Sequence, residues 1–167
     1  MARTRVILAI VVIAVVVSAV WGWRAGKRDS ARMSALVIKT VDGDTIDVRI
    51  DDKVERVRII GADTPETKDP RRPVQCFGPE ASAHTKNRLL NKKVSLELDA
   101  DPRDRYGRLL AYVYIDGERY EDELLRLGLA RLLIIAPNDE HGRALAKAEL
   151  DAKKHKRGLW GACDGAG

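Results

Sequence analysis

Apolar and polar residues alternate from Ala35 onward. The run "ALVIKTV" leads into "DGD" and then "TIDVRI", where Ile46, Val48 and Ile50 take every second position. That is the pattern of a half-buried strand. Asp42-Gly43 suits the turn before it, and "DDK" turns the chain again into "VERVRIIGA". The first half therefore reads as a three-strand meander. A loop rich in proline and basic residues follows, "KDPRRPVQCF". Gly78, Pro79 and Glu80 then open a helix that runs to about Asn91. Proline fits the first helical turn, and the acid fits the positive end of the helix dipole. "KVSLELD" alternates again, with Val94, Leu96 and Leu98 on one face. "DPRDRYGR" reads as a polar loop, and "LLAYVYID" as a fifth strand closed by Asp116-Gly117. A short helix covers "YEDELLRL" and stops at Gly128. The last helix spans roughly Asp139 to Lys156, with Leu145, Ala148 and Ala152 on one face.

Five strands, with helices inserted after the third and appended at the end, predict a β-barrel plus α architecture: a five-stranded OB-fold barrel with three helices. An N-terminal hydrophobic helix precedes it. Val6 to Trp21 is interrupted only by Ser18 as a polar residue, after the basic start "MARTR" and before the basic, polar "GWRAGKRDSARMS". This is the layout of an export signal, with "VSA" (Val17, Ser18, Ala19) offering small residues for cleavage. If the segment is retained to Trp23 it is long enough to anchor, with Trp21 and Trp23 at the membrane interface. The expectation is a signal peptide or membrane anchor over 1–23, a linker over 24–34, the barrel domain over 35–162 and a tail over 163–167. The chain would be exported, either secreted or held at the membrane. Basic residues flank the apolar run on both sides, so charge does not set its orientation.

Length and charge add little to this picture. A chain of 167 residues is a prior for one domain. The formal net charge is +5, and two of the positive residues, Arg3 and Arg5, belong to the leader. A mild excess suits a polyanionic partner without demanding one. Cysteine usage changes the picture more. Cys76 and Cys163 are the two cysteines, and in an exported chain they can form one bridge. It would tie the loop after "DTPE" to the tail; two free thiols are the alternative. No other residues have metal-thiolate spacing. His84, His141 and His155 are scattered over helices and suit surface or packing roles.

Several polar residues are not needed by local structure. Asp44 opens the second strand, Arg58 lies in the third, and Asp63, Thr64 and Glu66 follow it; Arg108 opens the fifth. If strands two and three pair antiparallel, Asp44 and Asp63 converge. Two carboxylates, a backbone carbonyl and waters make an oxygen-rich site that favours Ca²⁺ or Mg²⁺ over zinc. Asp63 can then bind metal while Glu66, held off by Pro65, orients or deprotonates a water. Arginines beside such a centre grip phosphate oxygens and stabilise charge growing in the transition state. Together these groups describe phosphodiester hydrolysis. Each piece also has an ordinary reading: Asp42-Gly43-Asp44 as a turn, Arg58 and Glu66 as a structural ion pair, Arg108 as a solvated charge. Their joint occurrence at strand ends favours the chemical reading.

The chain resembles the staphylococcal nuclease (thermonuclease) family. The residues that carry the resemblance are "DGDT" at 42–45, "RIIGADTPET" at 58–67, "FGPEAS" at 77–82, "DRYGRLLAYVY" at 104–114 and "GLW" at 158–160. The resemblance implies a Ca²⁺-dependent nuclease that cuts single-stranded DNA and RNA between phosphorus and the 5′ oxygen, leaving 3′-phosphates. It makes Asp44, Asp63 and the Thr64 carbonyl the calcium ligands, Glu66 the general base, and Arg58 and Arg108 the phosphate clamps. Arg105 and Tyr106 match positions that hold a terminal phosphate, with arginine where the family more often has lysine. The family's pocket tyrosines are missing; Ile134 and Ala136 stand where those rings are expected. Base–aromatic stacking is a substantial part of single-strand affinity. The expected partners are DNA and RNA, and the membrane if the leader is retained, with the chain a monomer. The rival reading is a non-catalytic nucleic-acid-binding barrel tethered to the membrane. The presence of Asp44, Arg58, Asp63, Glu66 and Arg108 argues against it.

Overall fold

The structure is a computed structural model that describes residues 32–71 and 73–163. The expected hydrophobic helix, most of the linker and most of the tail lie outside the described residues. Among the described residues, no helix is long and apolar enough to cross a membrane.

Strands β1 (Met33–Thr40), β2 (Thr45–Ile50) and β3 (Lys53–Ile59) form the expected antiparallel meander. Strands β5 (Lys93–Arg103) and β6 (Leu109–Ile115) complete the barrel. β5 pairs antiparallel with β1 and with β6. β6 returns to pair parallel with β3, with Val57 opposite Leu109 and Arg58 opposite Leu110. That last pairing closes the sheet, so none of the five strands is left with an open edge along this seam. Of the residues that alternation singled out, Ile50 and Leu98 are partly buried and Val94 is buried, while Ile46, Val48 and Leu96 are fully buried, as are Val37 and Val57 beside them. Each fully buried side chain contributes about 1.5–3 kcal/mol of transfer free energy.

Three helices surround the barrel. α1 (Gly78–Leu89) carries proline in its first turn and Glu80 at its positive end. α2 (Tyr120–Arg126) seals one side of the core with Tyr120, Leu124 and Leu125. α3 (Gly142–Lys154) inserts Leu145 and Ala152. A single turn, α4 (Leu159–Ala162), ends the described chain. Its Leu159 is buried and its amide donates to the Gly128 carbonyl at 2.9 Å. Leu159 anchors the tail in the core. Trp160 is half-buried, with the Arg131 guanidinium and the Lys153 ammonium over its ring.

Some elements differ from the sequence reading. β5 runs to Arg103, into the stretch expected to be a polar loop. Its end is polar yet paired, because Arg103 lies opposite Leu109. Asn138 supports it by accepting from the Asp101 amide at 2.8 Å and donating to its carbonyl at 2.9 Å. A second, two-stranded sheet joins β4 (Gly61–Asp63) to β8 (Arg131–Leu133), and β7 (Glu118–Arg119) extends β6 by a short hairpin. The short sheet matters most for function, because its register sets Asp63 opposite Arg131.

Candidate active site

The antiparallel register of β2 and β3 sets Thr45 opposite Arg58, and the Ile59 amide donates to the Asp44 carbonyl at 2.9 Å. The start of β2 thus lies beside the end of β3, as convergence of the acids requires. Arg58 is the hub. Its Nη2 donates to Asp63 Oδ1 at 2.7 Å, and its Nη1 forms an ion pair with Asp44 Oδ1. Its side chain is 15% exposed and that of Asp63 is 49% exposed. The alternative pairing of Arg58 with Glu66 is not the one the structure makes.

Asp44 is buried and tightly dressed. Its Oδ2 accepts from the Thr64 amide at 2.8 Å and from Thr64 Oγ1 at 2.9 Å; its Oδ1 accepts from Thr45 Oγ1 at 3.1 Å. Gly43 makes room for this. A Cβ there would lie 2.7 Å from Thr64 Oγ1 and Cγ2, so only glycine lets Thr64 reach Asp44. Asp42 joins the group by accepting from the Asp44 amide at 3.2 Å. Burial and the neighbouring Asp44 push the Asp42 carboxyl up to about 6. Burial likewise raises Asp63, with Asp44 adding to it and Arg58 opposing it. Burial works against the charge of Arg58, yet Asp44, Asp63 and Asp42 hold its pKa above the ordinary value.

Three acids face Arg58, and with Arg131 acting on Asp63 from across the short sheet the carboxyls still outnumber the guanidiniums. The donors are all oxygens, which is the chemistry of a hard divalent cation. Among the described residues, no group of three or more His, Cys, Asp or Glu side chains is gathered as a ready-made metal cage. A cation at Asp44 and Asp63 would complete its shell with backbone carbonyl and water. The donor set and its charge surplus fit such an ion.

Glu66 stands apart from this cluster. Its Oε1 accepts three amides of its own loop, Thr67 at 2.8 Å, Lys68 at 2.6 Å and Asp69 at 3.2 Å. The carboxylate is therefore held by its own loop two residues beyond Thr64, and the structure shows no contact between it and Asp44, Asp63 or Arg58. Arg108 approaches from the other side, since β6 runs parallel to β3 and Leu110 lies opposite Arg58. Asp104 clasps it: Arg108 Nε donates to Asp104 Oδ2 at 2.6 Å, and the Arg108 amide donates to Oδ1 at 3.0 Å. Burial opposes ionisation of Asp104, but these bonds hold its carboxyl below the usual range.

A cavity of about 560 Å³ runs between the two arginines, with Arg58, Arg105, Tyr106 and Arg108 on its polar side; Asp44, Asp63 and Glu66 do not line it. Arg105 stacks its guanidinium 4.8 Å from the Tyr106 ring centre and donates to the Tyr106 hydroxyl at 2.7 Å. The opposite wall is aliphatic: Leu133, Ile135, Ala136 and Pro137. Ala136 is on this wall as expected, but Ile134 is not; it is half-buried and packs against the core. Ile135, 66% exposed, takes the wall position instead.

The sequence reading passed over Asp42, Thr45, Asp104 and Gln75. Asp104 had a usable signal, its i,i+4 spacing to Arg108. Asp42 was absorbed into the turn it makes, and nothing periodic marks Thr45 or Gln75.

A closed five-stranded barrel, with an acid–arginine centre beside an arginine-lined cleft, is the build of an enzyme that handles phosphate esters. The comparisons with known proteins agree. The family described as "Staphylococcal nuclease homologue" matches residues 56–162. The thermonuclease of Staphylococcus hyicus is 43% identical over 136 residues, covering 81% of this chain and 80% of its own. The thermonuclease of Staphylococcus intermedius is 40% identical over 157 residues, covering 92% and 94%. Endonuclease YncB of Bacillus subtilis is 41% identical over 143 residues, covering 82% and 68%. The chain belongs to the staphylococcal nuclease family, and it is a phosphodiester-hydrolysing nuclease.

Proposed function

We propose that the chain is a calcium-dependent endonuclease that cuts DNA and RNA, prefers single strands and leaves 3′-phosphates. The observation that carries this reading is Arg58, held between Asp44 and Asp63 at the edge of a cleft that also contains Arg108. Asp44, Asp63 and the Thr64 carbonyl would hold the ion, and bound calcium would supply positive charge against a phosphate oxygen.

The chain's own residues do the rest. Arg58 and Arg108 point two guanidinium groups at the non-bridging oxygens, where charge grows as the water attacks phosphorus. The acids beside each arginine fix it in place before substrate arrives. Glu66 takes the proton of the attacking water. The bond from phosphorus to the 5′ oxygen breaks, and that oxygen leaves with a proton from solvent. The products are a 3′-phosphate and a 5′-hydroxyl. Arg105 and Tyr106 hold a terminal phosphate. An unpaired base can enter the cleft against its aliphatic wall, which a base locked in a duplex cannot do.

The chain acts as a monomer, exported, and secreted or tethered through residues 1–23. The test uses the full chain with single-stranded DNA, in calcium and in chelator, beside Glu66→Ala. Cleavage that needs calcium and is lost in the variant is the expected result. Equal cleavage in chelator would overturn the calcium assignment, and full activity of Glu66→Ala would remove that residue as the base.

A further inference from the structure

Glu66 sits in a loop, where a side chain is not held by a strand or helix. One residue supplies the missing framework. Gln75 Oε1 accepts from the Glu66 amide at 2.8 Å, and the Gln75 amide donates to the Glu66 carbonyl at 3.0 Å. Both backbone groups of Glu66 are thus taken by one residue nine positions away. Gln75 is itself pinned. Its carbonyl accepts from the Gly78 amide at 3.0 Å, at the start of α1. The next residue, Cys76, is bonded to Cys163, directly after α4 and its buried Leu159. The fit is close on the third side too. A Cβ on Gly78 would lie 2.6 Å from Thr67 Cγ2, 3.0 Å from the Pro65 carbonyl and 3.3 Å from that of Glu66.

We propose that Gln75 is a positioning residue for Glu66, and that the Cys76–Cys163 bridge is the anchor from which it works. Gln75 holds the Glu66 backbone against α1, and the three loop amides then aim the carboxylate. Gln75 touches neither substrate nor ion in this account, so its loss leaves binding intact and lowers turnover. The proposal rests on the reading of Glu66 as the base.

The test is steady-state cleavage of single-stranded DNA in saturating calcium by the full chain. The variants are Gln75→Ala, Gln75→Glu and the pair Cys76→Ala with Cys163→Ala, each also placed on Glu66→Ala. A misplacement of about 1 Å costs on the order of 100-fold. Gln75→Ala is therefore expected to lower kcat by about 10- to 100-fold with KM within about twofold. Gln75→Glu keeps an acceptor for the Glu66 amide and should restore most of kcat. On Glu66→Ala, Gln75→Ala should cost nothing further. An unchanged kcat, an equal loss on both backgrounds, or a loss carried by KM would overturn the proposal. Thermal melting accompanies each variant. If Gln75→Ala does not fold, the cysteine pair takes its place, and the same lack of additivity with Glu66→Ala is required of it. Full turnover by Glu66→Ala alone would instead bring down the base assignment, which separates the two failures.

Discussion

Replacing Glu121 by glutamine should stabilise the protein in alkali and leave it unchanged in acid. Glu121 lies in α2 with no exposed surface. Its Oε1 accepts from the Val113 amide at 2.7 Å, while its Oε2 is buried with no hydrogen-bond partner. Burial pushes the carboxyl from its ordinary 4.5 up to about 8, against the pull of the two backbone amides and Arg119. The folded protein therefore keeps a proton that the unfolded chain gives up. Stability from this group is fully present below pH 4.5 and is lost as pH rises through about 8. The slope is roughly 1.4 kcal/mol per pH unit, so the interval amounts to about 5 kcal/mol. That is a large part of the 5–15 kcal/mol typical of a domain. Glutamine stays neutral throughout and keeps an oxygen for Val113. Its unpaired NH₂ replaces an unpaired O–H, so the two proteins should match near pH 5. Urea unfolding at intervals from pH 5 to 9, for both proteins with the disulfide intact, gives the difference curve directly. Subtracting the curves removes groups far from Glu121, whose effects are common to both. The gap should open by several kcal/mol in favour of Glu121→Gln toward pH 9. Curves that stay parallel would mean the carboxyl is ionised inside the fold, and the argument from burial would be wrong.

Three other outcomes follow from geometry already described. Gly43→Ala places a methyl 2.7 Å from Thr64, so it should raise the calcium needed for half-maximal cleavage severalfold while the melting temperature moves by a few degrees; an unchanged calcium titration would refute this. Removing the Cys76–Cys163 bridge, which closes a separation of 87 residues, should cost about 2–4 kcal/mol in urea unfolding, and no shift on reduction would refute it. Ile135→Tyr sets a ring at the exposed wall of the cleft and should tighten single-strand binding by about 1 kcal/mol or more, read as a lower KM; an equal KM would show that no base reaches that wall.

The barrel was legible because its strands are half-buried and write their period into the sequence. Ile46, Val48 and Ile50 alternate, and alternation places Asp44 and Arg58 at adjoining strand ends once the meander is drawn. What stayed hidden has no period. β4 and β8 are three residues each, too short to alternate visibly, yet they fix Asp63 beside Arg131. The same brevity misplaced the pocket wall. Ile134 follows the last residue of β8 and turns to the core, where a Cβ on Gly142 would meet it at 3.6 Å, while Leu133 and Ile135 face the cleft. Gln75 works through side-chain bonds to the backbone of a distant residue, which no local pattern records.

The acids and arginines of the site form an alternating set, and that alternation accounts for both binding and precision. Arg58 bears Asp44 and Asp63; Arg108 bears Asp104. A bare arginine in the cleft would offer more charge but would sweep through many rotamers, and ordering it would cost free energy at the moment of binding. An arginine gripped by a carboxylate gives up part of its attraction for phosphate and keeps its remaining N–H groups in one place. Around Arg108 the charges balance one for one. Around Arg58 they do not, because Asp42 adds a third carboxyl, which burial first and the neighbouring Asp44 second push up to about 6. The imbalance is local: Asp42, Asp44 and Asp63 do not line the arginine-lined cleft. On the proposed reading, a divalent cation held by Asp44 and Asp63 would supply positive charge against this surplus, while Arg58 keeps its remaining N–H groups for a phosphate. On that reading the cation would come before the substrate, because carboxyls that outnumber the guanidiniums beside them repel a phosphate.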